Sequence, residues 1–320
     1  MERFGRARLL VIGDLIMDHF IWGRVTRISP EAPVPVVDVT SESILMGGSA
    51  NVVNNIHSLG GRCLVAGVVG KDADGRKLLS MLSNMGAQTE GIIIDSKRPT
   101  TIKTRIIAHS QQMVRFDREN RDKVDSTVTD KLMRYIEKAA KHVDIIVISD
   151  YAKGVITEGL MEEVAGAAKS ANKPVAVDPK VAHLDYYKGL TIITPNNLEA
   201  SMASNMDITD DASLHNAGEA LFNRLDCEAL LITRGEHGMS LFEAGCETHI
   251  PTVAQEVYDV SGAGDTVIAV LSLALAGGAD FKEAAVLANY AAGIVVGKVG
   301  TAAVAMEELE DAVEAGLKKS

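Results

Sequence analysis

Late in the chain, Asp259-Val260-Ser261-Gly262-Ala263-Gly264-Asp265-Thr266 runs into the strongly apolar stretch Val267-Ile268-Ala269-Val270-Leu271. That order places a loop of small residues at the start of a buried helix. The first N–H groups of a helix have no partner within it, and the helix dipole favours negative charge beside them. Small side chains let a phosphate approach the backbone closely. Gly262, Ala263 and Gly264 can therefore form an anion hole that stabilises charge developing in a transition state. Asp265 stands at the same helix start, where an ionised carboxylate is favoured and can accept a proton from a hydroxyl. A base beside a phosphate cradle is what phosphoryl transfer to an alcohol requires. Taken alone, the same residues equally describe an aspartate capping a helix after a flexible turn. They are not a Walker A loop, because no Gly-Lys-Ser/Thr follows. Nor are they a dinucleotide fingerprint, because the spacing is wrong and the motif lies late in the chain.

Such a loop needs elements to hold it. Leu9 to Gly13, Leu64 to Val69, Ile145 to Ser149, Val175 to Asp178, Thr191 to Thr194 and Leu230 to Thr233 are short, continuous apolar runs. Strands covered on both faces of a parallel sheet have this pattern. Helical periodicity fills the gaps, over Thr127 to Ala140, Thr157 to Ser170 and Asp211 to Arg224, each opening near a capping residue. The alternation predicts an α/β fold with a doubly wound, mostly parallel sheet flanked by helices. Ligands bind such sheets beyond the carboxyl ends of the strands. Asp14, Asp150, Asp178 and Thr194 fall there, which makes them candidates before any motif is considered.

Two segments interrupt the alternation. Residues 18–38 hold Trp22, Arg24, Arg27, Pro30, Pro33 and Pro35; residues 100–117 hold Lys103, Arg105, His109 and Arg115, with a polar turn near His109-Ser110-Gln111. Neither has helical periodicity. They are expected to form a small antiparallel β-lid over one edge of the main sheet, since long non-helical insertions are often active-site lids; two surface loops are the plainer alternative. Met306 to Lys319 reads as a final amphipathic helix with basic residues in its last turn. There is no internal repeat, low-complexity tract or Pro/Ser-rich linker, so a single domain over residues 1–320 is expected.

Composition limits the partners. Hydrophobic residues make up 47% of the 320, enough for a core without disulfide or metal staples. A formal net charge of −11 argues against a nucleic-acid partner, which demands basic patches. Cys63, Cys227 and Cys246 are odd in number and widely spaced, as free thiols in a reducing compartment would be. Cys63 lies in an apolar run, where a small hydrophobe is expected rather than a nucleophile. No stretch approaches the ~18 apolar residues of a membrane span, and no signal peptide is visible; the cytoplasm is the expected location. None of the eight histidines has metal-ligand spacing.

Further motifs give the loop a context. Gly47-Gly48-Ser49-Ala50-Asn51 precedes a helix, Asn196-Asn197-Leu198-Glu199 follows the strand ending at Thr194, and Thr233-Arg234-Gly235-Glu236-His237-Gly238 follows the next strand. With the late Asp-x-x-Gly-Ala-Gly-Asp, these make the chain resemble the ribokinase-like (pfkB) carbohydrate kinases from about Leu9 to its end. A narrower resemblance is to the heptose 7-phosphate kinases of lipopolysaccharide biosynthesis. It rests on Arg27-Ile28-Ser29-Pro30-Glu31-Ala32-Pro33-Val34-Pro35-Val36, Ser149-Asp150-Tyr151-Ala152-Lys153-Gly154 and Asp178-Pro179-Lys180, and on Val267 where most relatives have Phe. Ala269 departs from the expected Gly. Many members carry a C-terminal adenylyltransferase domain with a His-x-Gly-His motif; that motif does not occur here, so adenylyl transfer is not expected of this chain.

The resemblance implies roles. Asp265 would be the catalytic base and Gly262, Ala263 and Gly264 the anion hole. Asn196 and Glu199 would organise Mg²⁺ and its waters, the glutamate through water. Thr233, Gly235, Gly238 and Asn289 would face ATP, while Asp14, Gly47, Gly48 and Asn51 would face the sugar. Asp259 and Ser261 would sit at a monovalent cation such as K⁺, although capping explains them as well. A phosphorylated acceptor also needs cations; Lys153 and Lys180, at strand ends beside Asp178, are better placed than Arg105 and Arg115, which depend on lid closure. The implied reaction is ATP-dependent phosphorylation at C1 of D-glycero-D-manno-heptose 7-phosphate, giving the 1,7-bisphosphate. A kinase for ribose, fructose 6-phosphate or another sugar is the alternative, with a non-catalytic sugar- or nucleotide-binding regulator behind it. The exposed lid edge implies a homodimer joined through the lid.

Overall fold

The computed structural model describes residues 1–109, 111–254, 257–298 and 300–318. The chain opens with β1 (Arg8–Gly13), the long strands β2 (Leu15–Ile28) and β3 (Pro35–Gly48), helix α1 (Ser49–Ser58), β4 (Arg62–Gly70), α2 (Ala73–Asn84) and β5 (Gln88–Asp95). A second hairpin follows, β6 (Thr101–Ala108) and β7 (Gln111–Arg118), then α3 (Ser126–Ala139), β8 (Ile145–Ser149), α4 (Glu158–Ala171) and β9 (Val175–Asp178). Next come β10 (Ile192–Ile193), α5 (Asn197–Ser204), α6 (Asp211–Leu225), β11 (Ala229–Thr233), β12 (Met239–Glu243) and β13 (Cys246–Ile250). The helices α7 (Ala263–Ala276), α8 (Phe281–Val295) and α9 (Met306–Leu317) complete it.

The main sheet has nine strands in the order β13-β12-β11-β10-β9-β8-β1-β4-β5. The strands from β11 to β5 along this order pair in parallel, and β12 and β13 add an antiparallel edge. Its central strands are continuous apolar runs because both faces are covered. Along β1, Leu9 and Val11 enter a core shared with α1, α7 and α8, while Leu10 and Ile12 enter one shared with α3, α4 and α6. Every residue of α7 from Asp265 to Ala274 is buried, as its all-round apolar sequence demands. After β1 the sheet grows outward through β4 and β5, then resumes on the other side of β1 with β8. That reversal between β1 and β8 is the topological switch point where such sheets bind ligands.

The second sheet has four strands, β3-β2-β6-β7. Each hairpin is antiparallel, and the two join along β2 and β6 in parallel. The first lid segment is longer than the expected 18–38, reaching from Leu15 to Gly48 and running straight into α1. Residues 39–42 lie exposed on an edge strand and the segment is polar from Thr40 to Ser43, so the short run Ile44-Leu45-Met46 stands cut off from the rest of the strand. Both halves of the hairpin bend at register shifts, between Trp22 and Gly23 and between Val25 and Arg27. His109, at the predicted tip turn, has φ 50°, while Ser110 lies outside the described residues. So does Lys319: α9 ends at Leu317 with Lys318 at its cap. Cys63 is buried, and burial pushes its thiol far up, as a core residue's would be. No helix among the described residues is long and apolar enough to cross a membrane.

Candidate active site

At the switch point Gly13 pairs with Ser149, so Asp14 and Asp150 follow side by side. Asp14 is 1% exposed. Its Oδ2 accepts from the N–H groups of Tyr151 (2.9 Å) and Lys153 (3.1 Å), and its Oδ1 from Val155 (3.2 Å). Burial and the neighbouring Asp150 raise it to about 6 despite those three donors. The residue expected to hold a sugar hydroxyl thus fixes the loop after β8. Asp150 accepts from His183 Nδ1 at 2.6 Å and from the Tyr187 hydroxyl, and its Oδ1 takes the Ala152 N–H at 2.7 Å.

Asp265, 2% exposed, stands on the first turn of α7 with both oxygens engaged. The Tyr151 hydroxyl donates to Oδ1 at 2.6 Å and Asn51 Nδ2 donates to Oδ2 at 2.9 Å. Burial raises Asp265 to about 6, against the pull of these donors and of Lys103. The helix start was expected to favour the anion outright; burial outweighs it, yet the group remains mostly ionised at neutral pH. Gly262 caps α7 with φ 81°, and a Cβ there would come 2.7 Å from Asn51 Nδ2. The glycine is needed both for the turn and for the partner of Asp265. Gly48 caps α1, also at positive φ (56°), and a Cβ there would come 2.6 Å from the Asp14 carbonyl oxygen. Gly47 pairs with Ile16 beside it.

The candidate cations meet here, mostly already paired. Lys153 Nζ lies 2.7 Å from Glu119, Lys180 Nζ 2.5 Å from Glu199, and Arg105 pairs with Asp18. Arg115 bonds Asp117 on the exposed outer strand of the lid. Burial lowers Lys180, but Asp178 and Glu199 outweigh it and hold the ammonium above its usual range. Asp178 is pushed well above the usual carboxylate range by burial, with Asp265, Glu199 and Asp150 adding to it against Lys180. Lys103 was not singled out by sequence. Among the described residues it has no carboxylate within ion-pair distance; its ammonium lies 5.0 Å from the Tyr151 ring centroid, and Lys180 Nζ lies 5.5 Å from the same ring. Burial lowers Lys103 against the pull of Asp18, with Lys153, Arg105 and Arg115 adding to the fall. Tyr151 also went unassigned, although it lies inside the Ser149–Gly154 motif.

On the far side of the Gly262–Gly264 loop is a cavity of about 570 Å³. Thr233, Gly235, Gly238, Ala263, Gly264 and Asn289 all contribute to its wall. Above Gly264 an added Cβ would meet nothing within 4 Å, so the backbone lies open to a ligand. Asn289 Nδ2 donates to the Pro251 carbonyl at 2.7 Å, which fixes its orientation. This size and this bare backbone fit the nucleotide that the resemblance implies. Asn196 and Glu199 form a capping box on α5: Asn196 Oδ1 accepts from the Glu199 N–H (2.9 Å) and Glu199 Oε2 from the Asn196 N–H (3.0 Å). Glu199 Oε1 faces Lys180. Among the described residues no three His, Cys, Asp or Glu side chains converge on a metal position. The Glu199 carboxylate and the Asn196 amide oxygen are hard oxygen donors of the kind that magnesium takes directly or through water. Asp259 accepts from the N–H groups of Ser261 (2.9 Å) and Gly300 (3.0 Å). Burial pushes its carboxyl up, but these donors outweigh it and hold it below the usual range.

The family model described as pfkB family carbohydrate kinase matches residues 6–309. The chain is 48% identical over 314 residues to the bifunctional protein HldE of Syntrophotalea carbinolica, covering 98% of this chain and 64% of that protein. It is 50% identical over 306 residues to the protein of the same name from Geobacter sulfurreducens, covering 95% and 62%. The chain thus spans less than two thirds of the length of these relatives. Its fold matches Escherichia coli phosphofructokinase-2 in complex with substrates and products (TM-score 0.80, 18% identity, 97% of this chain and 99% of that one). It also matches Arabidopsis thaliana ribokinase complexed with ribose and ATP (TM-score 0.75, 19% identity, 96% and 99%).

Proposed function

The chain belongs to the pfkB family of carbohydrate kinases, and from that membership we propose that this sugar kinase phosphorylates the C1 hydroxyl of D-glycero-D-manno-heptose 7-phosphate with Mg-ATP. The observation that carries the chemistry is Asp265, buried and ionisable, directly after the bare backbone loop whose Ala263 and Gly264 line the 570 Å³ cavity. The lid segment Arg27 to Val36 supports the acceptor, and identity over about half the residues to the HldE proteins is in keeping with it.

Asp265 takes the proton of the acceptor hydroxyl, and the freed oxygen attacks the γ-phosphorus as its bond to the β-phosphate oxygen breaks. The backbone of Gly262, Ala263 and Gly264, at the start of α7, meets the charge that develops on the transferring group, the Ala263 N–H turning from its 3.3 Å bond to the Val260 carbonyl. Thr233, Gly235, Gly238 and Asn289 hold the nucleotide. Asn196 and Glu199 orient the phosphate end, where Mg²⁺ would supply charge neutralisation when bound. Gly47, Gly48 and Asn51 present the sugar, and Asp14 takes a sugar hydroxyl while it fixes the loop of Tyr151 and Lys153. Lys153, Lys180, Arg105 and Arg115 form the basic surround for the acceptor phosphate. A potassium ion near Asp259 and Ser261 belongs to this proposal; sodium in its place would then slow turnover. The free thiols of Cys63, Cys227 and Cys246 suit a reducing, cytoplasmic setting. The single kinase domain is taken to pair with a second copy through the lid.

A coupled ADP-release assay over a panel of sugars and sugar phosphates tests the acceptor. Heptose 7-phosphate should give the highest kcat/KM, and preference for an unphosphorylated sugar would reject it. Asp265→Asn should lose on the order of 10²–10⁴ in turnover while still binding ATP; near-parent turnover would remove Asp265 as the base.

A further inference from the structure

We propose that Tyr151 is the positioning residue of the transfer base: its hydroxyl holds the Asp265 carboxylate in orientation, and its ring ties that carboxylate to the lid sheet through Lys103. The inference rests on the reading of Asp265 as the base. Among the described residues the two oxygens of Asp265 have one side-chain donor each, Tyr151 Oη at 2.6 Å and Asn51 Nδ2 at 2.9 Å. With both bonds in place the carboxylate cannot rotate, and a hydrogen bond to an anion is of the stronger kind. Tyr151 itself is pinned through its backbone, because Asp14 accepts its N–H and that of Lys153.

The ring adds the second tie. Lys103, on the lid strand β6, lies 5.0 Å from its centroid and Lys180, after β9, lies 5.5 Å away. A half-buried ammonium without an ion pair gains most from an aromatic face. The lid sheet and the main sheet therefore meet on the side chain that holds the base. Tyr151 stays a donor throughout, since burial and the adjacent Asp265 push its hydroxyl well above its usual range. The charged groups that face Asp265 are Asp18 from β2 and Asp178 at the end of β9, which oppose its ionisation, and Lys103 from β6, which favours it. Removing the Tyr151 hydroxyl removes a donor that favours the ionised form, so the base should then need a higher pH.

The test is Tyr151→Phe, which keeps the ring and deletes only the oxygen. The expected result is an about tenfold fall in kcat at pH 7, with the KM for ATP unchanged. The acidic limb of the pH profile of kcat should move up by about half to one unit. Lys103→Met leaves Tyr151 intact and should move the limb in the same direction, and Lys103→Arg should restore it. With Asp265→Asn inactive, a Tyr151→Phe enzyme showing the parent kcat and limb overturns the inference alone. An active Asp265→Asn enzyme instead overturns the base reading, and this inference with it.

Discussion

Burial and hydrogen bonding pull the Asp265 carboxyl in opposite directions, and burial wins, as it does at Asp14; both stand at about 6. An unfolded chain would return each to near 3.8. Between those values the folded protein holds protons that the unfolded chain releases. The two groups therefore favour folding at low pH, and that contribution is lost as pH rises through about 6. At pH 8 each ionised, buried carboxylate costs on the order of 1–3 kcal/mol. Asp265→Asn should accordingly raise the thermal midpoint relative to the parent at pH 8, with the gain shrinking toward pH 4. A difference independent of pH would show that Asp265 is not held up by burial. At this scale the sequence was legible where chemistry is local. Gly262 to Asp265 can be read as loop plus base because they are adjacent. Tyr151 could not be assigned its role, because its partner is 114 positions away. Asp14 was placed at the right strand end, but nothing in its neighbours reveals that Tyr151, Lys153 and Val155 donate to it.

Helix α5 shows how an element can serve both stability and chemistry. Its capping box joins Asn196 and Glu199 through two bonds of 2.9 and 3.0 Å, which leaves Glu199 Oε1 aimed at Lys180. A bare cap and a magnesium organiser both explain these residues, and they differ in consequence. Asn196→Ala should cost about 1 kcal/mol of stability as a lost cap. If the box also holds Glu199 for the metal, the Mg²⁺ concentration for half-maximal rate should rise several-fold in the same variant. A lower melting point with unaltered Mg²⁺ dependence would leave the pair as a cap only. Elements were legible wherever both faces of a strand are covered: β8 (Ile145–Ser149), β9 (Val175–Asp178) and β1 all coincide with apolar runs. The expected strand from Thr191 to Thr194 shrinks to Ile192–Ile193, although the Thr194 N–H still bonds Val177 and the Thr191 carbonyl still takes the Ala229 N–H. The edge strand β3, polar through Thr40 to Ser43, offered no such run.

Across the whole molecule, the lid is where packing is left incomplete. Met113 (42% exposed), Val114 (49%) and Phe116 (53%) lie on its outer strand β7, so both faces of that edge meet solvent. Ile28 and Val39 are exposed on the other hairpin. Edge strands with such residues pair or aggregate unless they are covered, which is the physical basis for a dimer through the lid. Strand β7 pairs with β6, and in that register Lys103 stands opposite Asp117. Covering the outer edge therefore steadies the strand that brings Lys103 to Tyr151. Light scattering should give twice the chain mass of 34.0 kDa. Val114→Glu combined with Phe116→Glu should give the monomer, and with it a lower kcat, because the lid loses its support. A parent that scatters as a monomer would remove the dimer. A double variant that stays dimeric would move the interface off the lid. A monomeric variant with full kcat would show that the lid holds Lys103 in place without a partner.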